Sequence, residues 1–300
     1  MFGTILVGYD DSDSSRDALA LAGRLGEPAA QVIAANVYYG EVHLFPVPGY
    51  ADWTLSVADM AEERVRGARR AGSVDPSRLE LKKIAGSSAA HGLQDLSEEL
   101  DVDLIVVGPS QRSRPGQALI GTTAQRLLHG SPCPVSIAPA GFRDTHRPLG
   151  RVVAVAYDGS AESKIAMRAA GELVRHSGGR LVLLSVSEAP MPLDGYGYEK
   201  LRRAVADETQ RLLDEAMARI PYGIWCESVL LEGEAAPALT KAAAQADLLV
   251  LGSRSYGPLG RVVMGSVSSS VAVTAPCPVL IYPRGAERLT GRRETAGAAR

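Results

Sequence analysis

The stretch VLGSRSYGPLGRVVMGSVSSSVAVTAPCPVLIYP, residues 250–283, places a glycine-containing loop and a short helical pattern between two apolar runs. It aligns without a gap with residues 106–139, VVGPSQRSRPGQALIGTTAQRLLHGSPCPVSIAP. The alignment sets Gly108 against Gly252 and Gly121 against Gly265. One structural unit therefore occurs twice in the chain.

The duplication extends to the start of each half. Residues 4–19, TILVGYDDSDSSRDAL, match residues 152–167, VVAVAYDGSAESKIAM, so that Asp10 lies opposite Asp158. Repeats of this size are domains rather than the rungs of a solenoid. We therefore expect the following organisation: a first domain at 1–140, a linker at 141–149, a second domain at 150–283 and a flexible tail at 284–300.

Short runs rich in Val, Ile and Leu alternate in each half with longer segments of helical periodicity. This order is typical of a parallel sheet covered by helices. The predicted strands of the two halves are TILVGY, QVIAANVY, RLELKKIA, DLIVVG and CPVSIAP, then RVVAVAY, RLVLLSVS, WCESVLLEG, DLLVLG and CPVLIYP. Helices are predicted near 12–25, 51–71, 87–99 and 122–129, and near 160–176, 198–219, 235–245 and 266–274. The predicted fold is α/β, with two similar doubly wound five-stranded domains in tandem.

Composition narrows the choice of partner and compartment. A formal net charge of -2 without a basic stripe argues against nucleic acid, which is bound through clustered Lys and Arg. No apolar run approaches the ~18 residues of a membrane span, so we expect no membrane contact. Three cysteines without a CxxC pair fit a reducing compartment. The expected location is the cytoplasm.

The repeated glycines and acidic residues define a candidate ligand site in each half. Gly108 and Gly252 end a predicted strand, and Gly121 and Gly265 open a predicted helix. A helix N-terminus has unpaired N–H groups and a partial positive charge, and glycine lets an anion approach the backbone. In open α/β sheets ligands bind beyond the carboxyl ends of the strands. An aspartate after the first strand, Asp10 or Asp158, is expected in the same cleft.

A purely structural interpretation of the same residues stays open. The glycines can serve tight turns and close contacts between a helix and a strand. Ser12 and Ser160 directly precede helices and are natural N-caps. An aspartate two residues before such a cap can form a local turn through its own side chain.

The chain resembles the universal stress protein family over nearly its whole length. The motifs that carry the resemblance are YDGS (157–160), MGSVSSSV (264–271), APCPVLIYP (275–283) and LLHGSPCPV (127–135). The nucleotide-binding members of that family carry the pattern G-x2-G-x9-G-[S/T]. The resemblance implies an adenine-nucleotide α-hydrolase-like fold and a bound adenine nucleotide, usually ATP, with Mg²⁺ as an ion that the nucleotide can bring. The implied contacts are Asp158, Val186, Leu251, Gly252, Ser255, Gly265 and Ser266 in the second half, and Asp10, Val37, Val107, Gly108, Gly121 and Thr122 in the first.

Both halves depart from the family pattern at its second glycine, which is Gln111 in the first half and Ser255 in the second. Serine is small and offers a hydroxyl, whereas glutamine costs more where the loop needs a close approach or a positive φ. We therefore expect the C-terminal cleft to bind ATP more tightly than the N-terminal one.

Catalysis has little support in the sequence. No Walker lysine follows the glycine loop, and no HExxH pair or G-x-S-x-G elbow occurs. The expected function is a nucleotide-binding regulatory protein of the stress response with at most slow, incidental ATP hydrolysis. Two alternatives remain. The first is a protein of the same fold that has an empty cleft and acts through protein partners. The second is an adenylating enzyme of the same superfamily, although the SGGxDS and HxGH motifs of such enzymes do not occur in this sequence.

The last strand of each half would expose an apolar sheet edge if it stood alone, and such edges are usually paired or covered. We therefore expect the two halves to pair through CPVSIAP and CPVLIYP as an intramolecular pseudo-dimer. A homodimer of the whole chain is compatible with the same sequence, and no protein partner is indicated.

Overall fold

The computed structural model describes residues 2–39, 50–110, 121–145, 148–189, 197–253 and 265–282. The chain divides into two compact units, and the division falls between Thr145 and Pro148. The predicted tail, residues 284–300, lies outside the described residues. The pairing of the two last strands stays a prediction.

The described residues of the first unit form five strands and four α-helices. Its elements in chain order are β1 (Phe2–Gly8), α1 (Asp13–Leu25), β2 (Gly26–Tyr39), α2 (Tyr50–Ala71), β3 (Leu79–Gly86), α3 (Ala89–Glu99), β4 (Leu104–Val107), α4 (Thr122–Leu127) and β5 (Val135–Ile137). The strands form a parallel sheet in the order β3-β2-β1-β4-β5.

The second unit repeats this arrangement. Its elements are β6 (Val152–Ala156), α5 (Ala161–Ser177), β7 (Arg180–Ser187), α6 (Tyr198–Met217), β8 (Trp225–Glu232), α7 (Ala235–Ala243), β9 (Leu248–Gly252), α8 (Ser266–Thr274) and β10 (Val279–Tyr282). The order in the parallel sheet is β8-β7-β6-β9-β10. The predicted fold class is confirmed for both halves.

The central strands of both sheets are apolar on both faces. Ile5, Leu6 and Val7 of β1 have no exposed surface, and Val153 and Val155 of β6 are equally buried. Because helices cover both faces of a doubly wound sheet, its inner strands are continuous apolar runs rather than alternating ones. The cores of the two units therefore lie along the sequence runs that the repeat predicts.

The strand order creates a cleft in each unit. The chain leaves β1 toward β2 on one side of the sheet and leaves β4 toward β5 on the other, and β1 and β4 are neighbours. The connections diverge at this switch point, and the crevice between them lies outside the carboxyl ends of the strands. β6 and β9 form the matching switch point in the second unit.

The start of β2 differs from the prediction, which began this strand at Gln31. β2 begins at Gly26, and its register against β1 shifts between the pairs Phe2–Gly26 and Thr4–Gln31. Between these two pairs lies one residue on β1 and four residues on β2. This irregularity accommodates Pro28, one of the four.

Part of the predicted linker packs on the first unit. Residues Phe142–Asp144 form a 3-10 helix, and Phe142 is buried. The buried carboxylate of Asp17 on α1 accepts hydrogen bonds from the backbone N–H groups of Gly141 (2.8 Å) and Arg143 (3.0 Å). The guanidinium of Arg24 lies 4.6 Å from the centre of the Phe142 ring. These contacts attach residues 141–145 to α1, and the domain bounds as a whole stay a prediction.

Among the described residues, the helices are either too short or too polar to cross a bilayer.

Candidate functional site

The first unit contains a cavity of about 600 Å³ at the carboxyl ends of β1, β2 and β4. The structure brings together around it all six residues that the sequence predicts for the first half: Asp10, Val37, Val107, Gly108, Gly121 and Thr122. We call this cavity the N-terminal cleft.

The second unit contains a matching cavity of about 420 Å³, which we call the C-terminal cleft. The predicted residues that line it are Asp158, Val186, Leu251, Gly252, Gly265 and Ser266. Ser255 and its counterpart Gln111 lie outside the described residues. The repeat in the sequence is therefore a repeat of two cavities that are lined by the same motif positions.

The glycines that end β4 and β9 are required by close packing. A Cβ atom on Gly108 would lie 2.0 Å from the carbonyl oxygen of Ser14, and one on Gly252 would lie 2.5 Å from the carbonyl carbon of Glu162. Both neighbours belong to the first turn of the helix that follows the first strand, α1 or α5. The structural interpretation thus holds for these two glycines, and it brings each helix N-terminus to the edge of its cleft.

The two aspartates form the local turns that the structural interpretation anticipated. Asp158 Oδ1 accepts from the N–H of Ser160 at 2.9 Å, and Asp10 Oδ1 accepts from the N–H of Ser12 at 3.1 Å. Ser12 and Ser160 in turn cap their helices. A carboxylate has acceptor sites on both oxygens, so the turn and a ligand contact are compatible.

The helices that follow the loops begin at glycines that supply no side-chain cap. Gly121 and Gly265 are the N-caps of α4 and α8, and within the described residues neither helix start shows a side-chain cap hydrogen bond. An uncapped first turn leaves N–H donors available. Thr122 and Ser266 add a hydroxyl directly after each glycine.

Sequence reasoning missed Asn36, which also lines the N-terminal cleft. Its Nδ2 donates to the backbone carbonyl of Tyr9 at 2.7 Å, and its Oδ1 is buried without a hydrogen-bond partner among the described residues. In the second unit Ser185 donates to the matching carbonyl of Tyr157. A polar residue inside the apolar run QVIAANVY was the signal in the sequence.

Three further residues that line the clefts come from elements that the motif does not reach. Arg64 of α2 lines the N-terminal cleft, and Leu212 of α6 and Glu188 after β7 line the C-terminal one. Their positions depend on how the helix and the loop pack over the sheet, which the repeat pattern does not reveal.

A charged network stands beside the N-terminal cleft. Asp11, which has a positive φ of 63°, accepts hydrogen bonds from Tyr9 Oη (3.1 Å) and Arg16 Nη2 (3.0 Å) and lies 3.6 Å from Arg70 Nη2. Its carboxylate occupies the space that a Cβ on Gly67 would fill.

The pKa values of this network follow from its contacts. Burial raises the pKa of the Tyr9 hydroxyl to about 12, so that it remains a donor. Burial alone would raise the pKa of Asp11, but the hydrogen bonds from Arg16 and Tyr9 and the charge of Arg70 hold it below the ordinary value. The second unit has Gly159 at the matching position, also with a positive φ, of 76°.

No cluster of three or more His, Cys, Asp or Glu side chains suited to a metal ion occurs in the described ranges.

Comparison with known proteins identifies the family. The family model described as universal stress protein family matches residues 1–139 and 150–283. The chain belongs to the universal stress protein family and carries two of its domains in tandem.

Individual relatives and a solved structure are also similar to this chain. Universal stress protein Rv2319c of Mycobacterium tuberculosis is 29% identical over 299 residues, which cover 93% of this chain and 99% of that protein. A universal stress protein of Thermus aquaticus is 35% identical over 138 residues, covering 44% of this chain and 97% of that protein. The crystal structure of a universal stress protein from Archaeoglobus fulgidus superposes with a TM-score of 0.67 at 23% identity, covering 94% of this chain and 99% of that one. The last comparison bears on the fold alone.

Proposed function

We propose that each half of the chain binds one adenine nucleotide in its cleft, and that binding rather than turnover is the activity of this protein. The observation that supports the proposal is the double occurrence of one set of residues around a cavity. In each unit the set comprises an acidic residue, a valine of the second strand, two residues at the end of the fourth strand, a glycine N-cap and a hydroxyl.

The size and the walls of the clefts suit such a ligand. Their volumes of about 600 and 420 Å³ fall within the ~300–1,000 Å³ of small-molecule sites. In our proposal, Val37 and Val107 pack against the base in the N-terminal cleft. The hydroxyl and N–H groups that follow Gly121 donate to the phosphates, which are anions of the kind that uncapped N–H groups attract.

Asn36 tests whether the N-terminal cleft fits an adenine nucleotide, and this test does not depend on family membership. A buried acceptor without a partner costs ~1–3 kcal/mol, and a bound donor group removes that cost. The exocyclic amino group of adenine is such a donor. The orphaned Oδ1 therefore favours a ligand with a hydrogen-bond donor in the N-terminal cleft.

The proposed role is regulatory: the nucleotide acts as the signal in a stress response, and any hydrolysis is slow and incidental. Membership of the universal stress protein family supports this role. Mg²⁺ enters, in this proposal, with the phosphates of ATP rather than on a site built by the protein.

The experiment is to purify the chain from cells, release small molecules with acid and identify them by chromatography. We expect adenine nucleotide from the unaltered chain and none from the double variant Gly121→Val/Gly265→Val, whose new side chains would stand at both helix starts. If the unaltered chain releases no adenine nucleotide and takes up no added ATP, the proposal fails and the empty-cleft interaction protein becomes the better account.

A further inference from the structure

The two clefts differ in the charge of their walls. The charged side chains among the described residues that line the N-terminal cleft are Asp10 and Arg64, whose formal charges cancel. Those that line the C-terminal cleft are Asp158 and Glu188, which are both acidic. Both clefts have an aspartate after the first strand. They differ because the N-terminal cleft also has a cation, Arg64, and the C-terminal cleft also has an anion, Glu188.

Arg64 has an apolar counterpart in the second unit. The sequence VAD occurs at 57–59 in α2 and at 205–207 in α6, and an ungapped alignment on it sets Arg64 against Leu212. The alignment also matches buried positions, Val65 with Leu213 and Ala68 with Ala216. Both Arg64 and Leu212 line their clefts, so the same position on the same helix presents a cation in one unit and a leucine in the other.

Arg64 is not engaged by the acidic residues of its own helix. Arg66 Nη2 lies 2.5 Å from Glu62 Oε1, and Arg70 Nη1 lies 2.9 Å from Glu63 Oε1. Within the described part of the chain, Arg64 makes neither a salt bridge nor a hydrogen bond. Its guanidinium, on an exposed side chain, therefore has donors available to an anion in the cleft.

The four segments outside the described residues that occur at matching positions of the two halves do not offset this difference in formal charge. Segments 111–120 and 254–264 each contain two arginines and no acidic residue. Segments 40–49 and 190–196 each contain one acidic residue and neither Lys nor Arg. Among the described residues that line the clefts, the charge contrast thus rests on Arg64 and Glu188.

We propose that the two clefts divide adenine ligands by charge: the N-terminal cleft selects the polyphosphorylated nucleotide, and Arg64 is the residue that determines this selectivity. The C-terminal cleft, with two carboxylates and a leucine, gains less from each added phosphate. This proposal rests on the proposed function, because it assumes that both clefts accept the adenosine part. Arginine forms charge-assisted hydrogen bonds to phosphate that a neutral ligand does not receive, whereas a second carboxylate repels phosphate.

The test compares ATP with adenosine, which lacks the phosphates, at each cleft separately. The variant Gly265→Val leaves the N-terminal cleft for measurement, and Gly121→Val leaves the C-terminal one. Calorimetry in EDTA gives the ratio of the adenosine Kd to the ATP Kd for each. We expect this preference for ATP to be at least ~10-fold larger at the N-terminal cleft.

Substitutions then assign the preference to a residue. In the Gly265→Val background, Arg64→Gln should lower the ATP preference ~10-fold and leave the adenosine Kd unchanged. Arg69→Gln is the matched control, because Arg69 is exposed on the same helix and does not line the cleft. In the Gly121→Val background, Leu212→Arg and Glu188→Gln should each raise the ATP preference.

The outcomes separate the two proposals. Equal ATP preferences at the two clefts, with both ligands bound, would overturn the division by charge and leave nucleotide binding intact. Equal loss of ATP and adenosine affinity in Arg64→Gln would also overturn it, since Arg64 would then support the cleft as a whole. Failure of both clefts to bind either ligand would overturn the proposed function as well.

Discussion

The N-terminal and C-terminal clefts have matching backbones and unlike walls. The shared features are the packed glycines Gly108 and Gly252 and the turns made by Asp10 and Asp158. The differences lie in the side chains that line the cavities. The clearest is Arg64 of the first unit, which aligns with Leu212 of the second. The two halves therefore share the backbone features that shape each cleft and differ in the side chains that line it.

The loop sequences and the residues that line the clefts rank the ATP affinities of the two clefts differently. The loop substitutions Gln111 and Ser255 favour the C-terminal cleft, but both residues lie outside the described ranges. The walls favour the N-terminal cleft for a charged ligand, because Arg64 is there and Glu188 is not. The ranking of ATP affinity thus depends on whether the loop residues or the wall residues contribute more to binding.

The largest expected effect concerns a shared feature. Gly108→Ala would place a Cβ 2.0 Å from the Ser14 carbonyl oxygen, which is backbone and has no rotamer to escape into. We expect a loss of at least ~3 kcal/mol in the free energy of unfolding of the first unit, the upper range for overpacking. Urea unfolding followed by circular dichroism measures it.

Gly121→Ala is the control for that substitution. Its Cβ would come no closer than 3.6 Å to Ser110, and its φ of −63° is ordinary for alanine. We expect it to cost less than ~1 kcal/mol. Similar losses for the two variants would contradict the claim that Gly108 is fixed by the packing of α1.

The next effect is on binding. Asp158→Asn keeps the side-chain acceptor that forms the turn with Ser160, so the melting temperature without ligand should hardly change. If the carboxylate contacts the nucleotide, ATP binding at the C-terminal cleft should weaken by ~1–3 kcal/mol. Asp10→Asn makes the matched comparison in the other cleft.

An Asp158→Asn variant that binds ATP as the unaltered chain does would limit Asp158 to its structural role.

A smaller effect concerns the turn that differs between the units. Gly159→Ala forces alanine to a φ of 76° and brings its Cβ to 3.3 Å from Leu212, so we expect a cost of ~1–2 kcal/mol. Asp11→Gly relieves a positive φ of 63° while it removes hydrogen bonds, and the two effects oppose each other. Thermal unfolding should show the larger loss for Gly159→Ala, and the reverse order would contradict this account of the turn.

The smallest effect is a pH dependence confined to the first unit. The folded pKa of Asp11 is lowered, so its contribution to stability is complete above the unfolded pKa of about 3.8 and is lost as the pH falls through the folded value. The unaltered chain should therefore lose more stability between about pH 5 and pH 3 than Asp11→Asn. Parallel stability curves for the two proteins would show that the network around Asp11 adds no ionic stabilisation.

Much of this architecture was predictable because the duplication provides two independent records of each element. All ten predicted strands and eight predicted helices occur among the described residues, within a few residues of their predicted bounds. The six positions predicted for each cleft, Ser255 apart, also meet around a cavity, because parallel strands bring their carboxyl ends to one edge of the sheet.

The rest depended on packing that a linear pattern does not encode. The early start of β2 was missed because Pro28 disfavours a strand, and a shift of register accommodates it. Arg64 was missed because helical periodicity predicts which face of α2 is buried. It does not predict which residue at the border of that face lines the cleft. Asn36 was missed because the sequence does not show that only one of its two polar side-chain atoms has a hydrogen-bond partner among the described residues.

The central claim is that both clefts bind an adenine nucleotide, and the most direct test is the number of ATP molecules bound per chain, measured by titration calorimetry. We predict two for the unaltered chain, one for Gly121→Val, one for Gly265→Val and none for the double variant. No ATP bound to the unaltered chain, or two still bound to the folded double variant, would contradict the claim.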